Sequence, residues 1–197
     1  MTGRLSDDHM DQLESFIGTG PKTFRLLYSF IRDGCGLQPF HSKCDNQGPT
    51  VTVVYNPQGS VYGGYTSLAW QSSGYYKRDD QAFLFQLGFA YQKMCRKFPS
   101  KKNYKWCLSP QRLRSSVWTW PLLVILFFSN VNPVNGVFSL STAGGHMKPS
   151  SNYEYGGVQP ADINNGTMDV VEGEVYSVTG TYCDKYYLNK HVTVIET

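Results

Sequence analysis

Five cysteines (Cys35, Cys44, Cys95, Cys107, Cys183), four histidines (His9, His41, His146, His191) and two near-adjacent glutamates are the residues whose types and spacing could do chemistry. His41 and Cys44 lie three apart, on one face if the segment is helical, and with Cys35, Cys183 and His191 they are the candidate zinc ligands. Structural zinc sites usually present two tight ligand pairs, and this sequence has only this loose one, so a buried thiol beside a packed imidazole is the simpler reading. A redox thiol needs a Cys-x-x-Cys pair or a cationic neighbour. Lys43 before Cys44 and Arg96 after Cys95 are the nearest approximations. Glu172 and Glu174 share one face of a strand, as a glycosidase pair would, but the same alternation describes a solvated strand face. No Gly-x-Ser-x-Gly elbow accompanies the histidines. No catalytic residue, cofactor site or metal site is therefore expected, and the reading is of a protein that is not an enzyme.

Gly18 to Thr23 (Gly-Thr-Gly-Pro-Lys-Thr) superficially resembles a phosphate-binding loop. Pro21 stands where the motif needs its second glycine, removing an amide that would cradle phosphate. The segment reads as a turn ending a helix. No Gly-x4-Gly-Lys-Ser/Thr occurs elsewhere, so no GTPase module is present in the chain.

The 197 residues, at 22.2 kDa, suffice for one full-sized domain. The net charge of +3 hides an asymmetry: the stretch from Gln81 to Tyr153 contains none of the 15 acidic residues and nine of the 18 basic ones. From Lys93 to Arg114 these cations interleave with the aromatics Tyr91, Phe98, Tyr104 and Trp106. That composition suits an anionic surface, lipid headgroups better than nucleic acid because the apolar run Val117–Phe128 follows. Twelve residues reach only about 18 Å as a helix, short of the ~30 Å hydrocarbon core, so a membrane-touching segment through 93–128 is the alternative and nucleic acid is disfavoured. The N-terminus has early acids and no apolar core of a signal peptide, which points to a cytoplasmic protein with reduced thiols, or alternatively to membrane association. Asn165-Gly166-Thr167 fits a glycosylation triplet but carries little weight without an export signal.

The elements that must position these residues are mostly strands. Ser6 followed by Asp7, Asp8 and Asp11, then Met10, Leu13, Phe16 and Ile17 at helical spacing, predicts a helix ending at Gly18 or Gly20. Phe24–Ile31 reads as a strand closed by Asp33-Gly34, and Leu37–Cys44 as a short helix with Leu37, Phe40 and Cys44 on one face. Thr50–Tyr55 and Ser60–Thr66 flank Asn56-Pro57-Gln58-Gly59, the chemistry of a type I turn, and predict a hairpin. Gly63-Gly64 within it suggests a bulge or close backbone approach. Ala82–Leu87, Met168–Val178 and His191–Ile195 read as further strands.

Over residues 24–87 the wording is familiar: Leu26-Leu27-Tyr28, Arg32-Asp33-Gly34, Phe40-His41 with Cys44, Gly48-Pro49-Thr50, Gly63-Gly64-Tyr65, Trp70 and Ala82–Phe85. Their order and spacing resemble the TLDc domain family, most closely the TLDc domain of interferon-induced 44-like proteins. The likeness is partial over 137–178, where Ala143-Gly144-Gly145-His146 resembles a glycine-rich family segment and Asn165-Gly166-Thr167-Met168 through Glu174-Val175-Tyr176 its closing strand. It divides the chain into a helix and turn (1–23), a TLDc-like first half (24–87), an atypical basic and apolar insert (88–136) and a TLDc-like C-terminal part (137–197). The insert reads as a product of alternative splicing or of an imperfect gene model. The resemblance implies an α+β fold, a two-sheet β-sandwich flanked by short helices, left incomplete because 88–136 has no counterpart. It implies a non-enzymatic interaction module linked to oxidative-stress protection, binding of the vacuolar proton pump or innate immune response, with a protein as its partner. A thiol-dependent antioxidant protein and a membrane-associated protein stand as alternatives. The motif residues Asp33, Gly34, His41, Cys44, Gly48, Pro49, Thr50, Gly63, Gly64, Trp70, Gly144, Gly145 and His146 read as structural.

Overall fold

The computed structural model describes residues 3–71, 76–77, 79–101, 106–107, 132–139 and 153–180. Gly144, Gly145 and His146, the apolar run 117–128, Cys183 and the strand expected over His191–Ile195 lie outside the described residues.

Helix α1 (Asp7–Ile17) starts and stops as its caps dictate. The Ser6 side chain accepts the His9 amide, and Gly18 (φ 73°) closes the helix by donating its N–H to Glu14 O at 2.9 Å. Strand β1 (Lys22–Ser29) ends earlier than the apolar run predicts, because Phe30 and Ile31 enter a one-turn helix, α2 (Phe30–Asp33). The reason lies far away in sequence: the Glu172 carboxylate accepts the otherwise orphaned amides of Phe30 (2.8 Å) and Ile31 (3.3 Å). Helix α3 (Leu37–Cys44) follows as expected, with Phe40 and Cys44 buried.

Strands β2 (Thr50–Tyr55) and β3 (Val61–Thr66) form the predicted hairpin, with Gly59 N–H bonded to Asn56 O at 3.2 Å across the turn. After the short β4 (Tyr76–Lys77) come β5 (Phe83–Phe89), β6 (Gln92–Pro99), β7 (Trp106–Cys107), β8 (Phe138–Ser139), α4 (Ala161–Asn164), β9 (Asp169–Val170) and β10 (Glu172–Gly180). Six of these strands make one antiparallel sheet in the order β1-β10-β2-β3-β5-β6, and β4-β7 and β8-β9 pair as two-stranded sheets.

Both faces of the large sheet are covered, which is why β2 is buried along its whole length. Val51, Val53, Tyr55, Phe83, Phe85 and Leu87 pack with Leu13 of α1. On the other face Val54, Tyr62, Leu84 and Val175 pack with Phe30, Phe40, Trp70, Phe138, Ile163 and Val170. The class is α+β. Among the described residues the second layer is built from α2, α3, α4 and the β8-β9 pair rather than from a second large sheet.

The stretch set apart as an insert also contributes to the sheet. β6 returns along β5 and forms its outer strand, Phe85 opposite Lys97 and Leu84 opposite Phe98. Its cations are used internally: Lys97 Nζ donates to the Phe16 carbonyl at the end of α1 and stands 4.6 Å from the centre of the Phe83 ring. Arg96 donates to Gln86 Oε1 at 3.4 Å.

Gly63 marks a close approach rather than a bulge. A Cβ there would lie 2.0 Å from the Thr52 carbonyl oxygen and 2.5 Å from Cζ of Phe85. Gly63→Ala is therefore expected to destabilise the fold by about 3 kcal/mol, because backbone must shift. At Gly64 an added methyl meets the end of the Leu84 side chain, Cδ2, at 3.2 Å, a contact relieved by a shift of a few tenths of an ångström, and Gly64→Ala should cost less than Gly63→Ala, about 1 kcal/mol. Urea unfolding of the two variants side by side measures the difference.

Candidate functional site

Apart from Gly63 and Gly64 on β3, the motif residues of the first half lie in and around one cluster under α3. Trp70 donates its indole N–H to Thr50 Oγ1 at 2.8 Å, and its ring meets Phe40 edge-on at 5.3 Å between centroids. Phe40 in turn packs edge-on against Tyr28, whose hydroxyl donates to Gly34 O at 2.6 Å. His41 is held by Asp45, Nδ1 to Oδ1 at 2.7 Å, and Cys44 is fully buried among these rings. The Trp70 carbonyl accepts the Asn46 amide at 3.0 Å, and Pro49 O accepts the Val178 amide at 2.9 Å, tying the cluster to β10. Gly48 sits at φ 79°, where a side chain is disfavoured. Burial pushes the Asp33 carboxyl up, but hydrogen bonds from the Arg32 guanidinium (2.6 Å) and the Ser29 amide (3.0 Å) outweigh it and leave the group below its ordinary value.

Glu172 and Glu174 depart most from expectation. Their alternation suggests a solvated face, yet both are buried, at 3% and 2% exposure. Each is met by donors from elsewhere in the chain. Glu172 accepts from Ser29 Oγ, Phe30 N, Ile31 N and Gly173 N, and Glu174 from Arg4 N (3.0 Å) and the Tyr176 hydroxyl (2.6 Å). Buried carboxylates persist only with such partners. Burial raises the Glu172 pKa despite the hydrogen bonds, and the nearby Glu174 adds to the rise. Their lone pairs are occupied by structural donors, so neither is presented to a substrate.

The other chemical candidates have equally internal roles. Gly18 is the cap of α1, and Lys22 Nζ donates to the carbonyls of Thr19 (2.7 Å) and Gly20 (2.8 Å), closing the turn on itself. Among the described residues no three His, Cys, Asp or Glu side chains gather as metal ligands. Burial pushes the Cys44 thiol well above its usual value, the reverse of an activated nucleophile. Cys35 is also buried, and Cys95 on β6 is half-buried. Among the described residues no helix is long and apolar enough to cross a membrane.

A family model for the TLDc domain matches residues 4–114. The chain belongs to the TLDc domain family. Two curated relatives are similar over shorter stretches: the mTOR-associated protein MEAK7 of Danio rerio, 30% identical over 71 residues, or 36% of this chain, and that of Mus musculus, 31% identical over 64 residues, or 32% of this chain. These stretches cover only 16% and 14% of the relatives' own lengths. The TLDc match takes in α1 at one end and continues past Leu87 through β6 at the other, in keeping with the hairpin that β6 makes with β5.

In this TLDc domain the polar residues that sequence alone does not single out are those whose partners are distant. Asp79, 3% exposed, accepts from Thr66 Oγ1 (2.7 Å), Ser67 Oγ (2.6 Å) and Gln81 N (3.1 Å). Buried Gln86 donates to Asp162 O at 2.8 Å and Asn56 to Asn164 O at 2.8 Å, satisfying carbonyls of α4 and fastening it to the sheet. Of these only Gln86, an amide in an apolar strand, carries a signal in advance, and it does not name the partner.

A carboxyl whose pKa is raised by folding binds its proton more tightly in the native state. Its contribution is greatest at low pH and is lost as pH rises from about 4.5, the ordinary value, through the raised one. The difference in thermal midpoint between parent and Glu172→Gln should therefore change across that mildly acidic window and level off above it. A constant difference across the window would mean that Glu172 does not titrate there.

Proposed function

We propose that this TLDc domain is a non-enzymatic protein-interaction module acting in the cytoplasm. The observation that carries the reading is family membership combined with the inward direction of the chemistry-bearing groups: the Cys44 thiol is buried, the Glu172 and Glu174 carboxylates are buried against structural donors and His41 is held by Asp45. Such a domain serves as a shaped surface, with its motif residues Asp33, Gly34, His41, Cys44, Gly48, Pro49, Thr50, Gly63, Gly64 and Trp70 acting as scaffold. The association with mTOR in the relatives' name supports a protein partner in a signalling setting. The family resemblance supports binding of the vacuolar proton pump, oxidative-stress protection and a role in innate immunity. Family-level transfer of this kind rests on analogy, so the partner is to be established directly.

The test is co-precipitation of the full chain from cytosolic and membrane fractions, with blots for a vacuolar proton-pump subunit and for mTOR. Specific recovery of either, unchanged in the Cys44→Ser and Cys95→Ser variants, is the expected result. Peroxide consumption by the purified chain that disappears in one of those variants would instead assign a thiol enzyme. Native-state alkylation gives a second check. Cys95 should react well before Cys44, by about tenfold or more, since Cys44 is sealed in the core.

A further inference from the structure

The two hairpins of the sheet, β2-β3 and β5-β6, turn back at the same end, and between their tips and the start of α1 lies a cavity of about 610 Å³. Arg4, His9, Tyr55, Ser60, Tyr91 and Lys93 are among the residues that line it, together with the carboxylate of Asp8. That volume is ordinary for a small-molecule site. None of the described family-motif residues lines it.

The tip of the second hairpin is built against local preference. Ala90 (φ 50°) and Tyr91 (φ 64°) form a two-residue turn with both residues left-handed, a geometry that favours Asn-Gly and is unusual for a bulky aromatic residue. Tyr91 is held there by three contacts with the first hairpin. Its amide donates to Gly59 O at 3.1 Å, its hydroxyl donates to Pro57 O at 2.8 Å, and its ring lies over Gly59, where an added Cβ would come within 2.5 Å. Burial does not account for this arrangement, because Tyr91 is 82% exposed. A strained backbone that fixes an exposed ring at the mouth of a cavity is the kind of feature that functional sites retain.

Arg4 and Lys93 line the same cavity as that ring and are only partly balanced by Asp8. Arg4 stands 5.1 Å from the centre of the Tyr55 ring. Burial above all holds the His9 imidazole below its ordinary pKa, with Asp8 opposing that shift and Lys93 adding a smaller push in the same direction. Among the described residues neither Arg4 nor Lys93 forms an ion pair. Asp8 opposes them, leaving the lining with a net positive charge while His9 is neutral. Glu174, behind Tyr55, is already occupied by Arg4 N–H and Tyr176. His9 Nδ1 and Ser60 Oγ are buried polar atoms without a hydrogen-bond partner.

We propose that this cavity binds an oxyanion carried on a planar ring, its phosphate or carboxylate between Arg4 and Lys93 and its ring stacked on Tyr91. A free nucleoside phosphate and a phosphorylated aromatic side chain share that chemistry. The test is calorimetric titration of the full chain with phenyl phosphate, inorganic phosphate and benzyl alcohol. Phenyl phosphate should bind most tightly, with a dissociation constant below about 1 mM, and more weakly as salt is raised. Arg4→Gln combined with Lys93→Gln should weaken it about tenfold or more. Both side chains are exposed, and the structural bond to Glu174 uses the Arg4 backbone, so this variant should keep the parent's circular dichroism and thermal midpoint. Tyr91→Gly keeps the turn's preferred backbone and should reduce phenyl phosphate to the affinity of inorganic phosphate. Adenosine monophosphate and O-phosphotyrosine, titrated in parallel, distinguish the two sources by which binds more tightly. The proposal is overturned if phenyl phosphate does not bind, if it binds no better than benzyl alcohol, or if the folded double variant binds it as the parent does.

Discussion

Among the described residues β10 is the only strand hydrogen-bonded to both β1 and β2, so the continuity of the large sheet rests on it. Its demands shape much of what surrounds it. Gly173 lies beneath Phe30, where a Cβ would meet the ring at 2.5 Å, so aromatic packing of α2 against the sheet requires a glycine there. Glu172 and Glu174 bring two carboxylates into the interior, and each must be met by donors from elsewhere in the chain. Glu172 draws in the first turn of α2, and Glu174 draws in the backbone at Arg4. The N-terminal segment, β1 and α2 are thus fixed by one strand that comes late in the sequence.

The acid-free stretch takes on a different meaning once β6 is in place. A run of cations with interleaved aromatics resembles a surface for anions, but Lys97 and Arg96 are spent within the domain. Lys97 meets the carbonyl end of α1, where a positive charge is favoured by the helix dipole, and Arg96 reaches the buried amide of Gln86. Lys93, nearer the hairpin tip, is a cation of this strand with no ion pair among the described residues. Position along one strand separates a structural charge from one available to a ligand, and composition does not register that separation.

Where local chemistry decides the structure, the sequence is a good guide. Ser6 and Gly18 bound α1, and Asn56-Pro57-Gln58-Gly59 sets the β2-β3 turn, because caps and turns act over three or four residues. The misreadings share a physical cause. Phe30 and Ile31 read as strand because the group that turns them into a helix is Glu172, 142 residues from Phe30. Glu172 and Glu174 read as solvated because their donors are equally remote. Tyr91 reads only as one aromatic of the basic stretch, because an aromatic residue in a left-handed turn contradicts the preference by which turns are recognised. The motif cluster was legible as scaffold in outline, while its wiring, Trp70 to Thr50 and Tyr28 to Gly34, emerges only in three dimensions.

The lateness of β10 has a consequence for the chain during synthesis. The hairpins β2-β3 and β5-β6 join near neighbours in sequence and can close as soon as they are made, but the gap between β1 and β2 waits for Glu172–Gly180. At translation rates of about 5–20 residues per second, that wait is on the order of ten seconds. During it β1 lacks its place, the outer edge of β2 is open, and Thr50–Tyr55 offers an apolar, β-prone template to any neighbouring chain. The ribosome-bound intermediate, more than the finished domain, is the species that chaperones must protect.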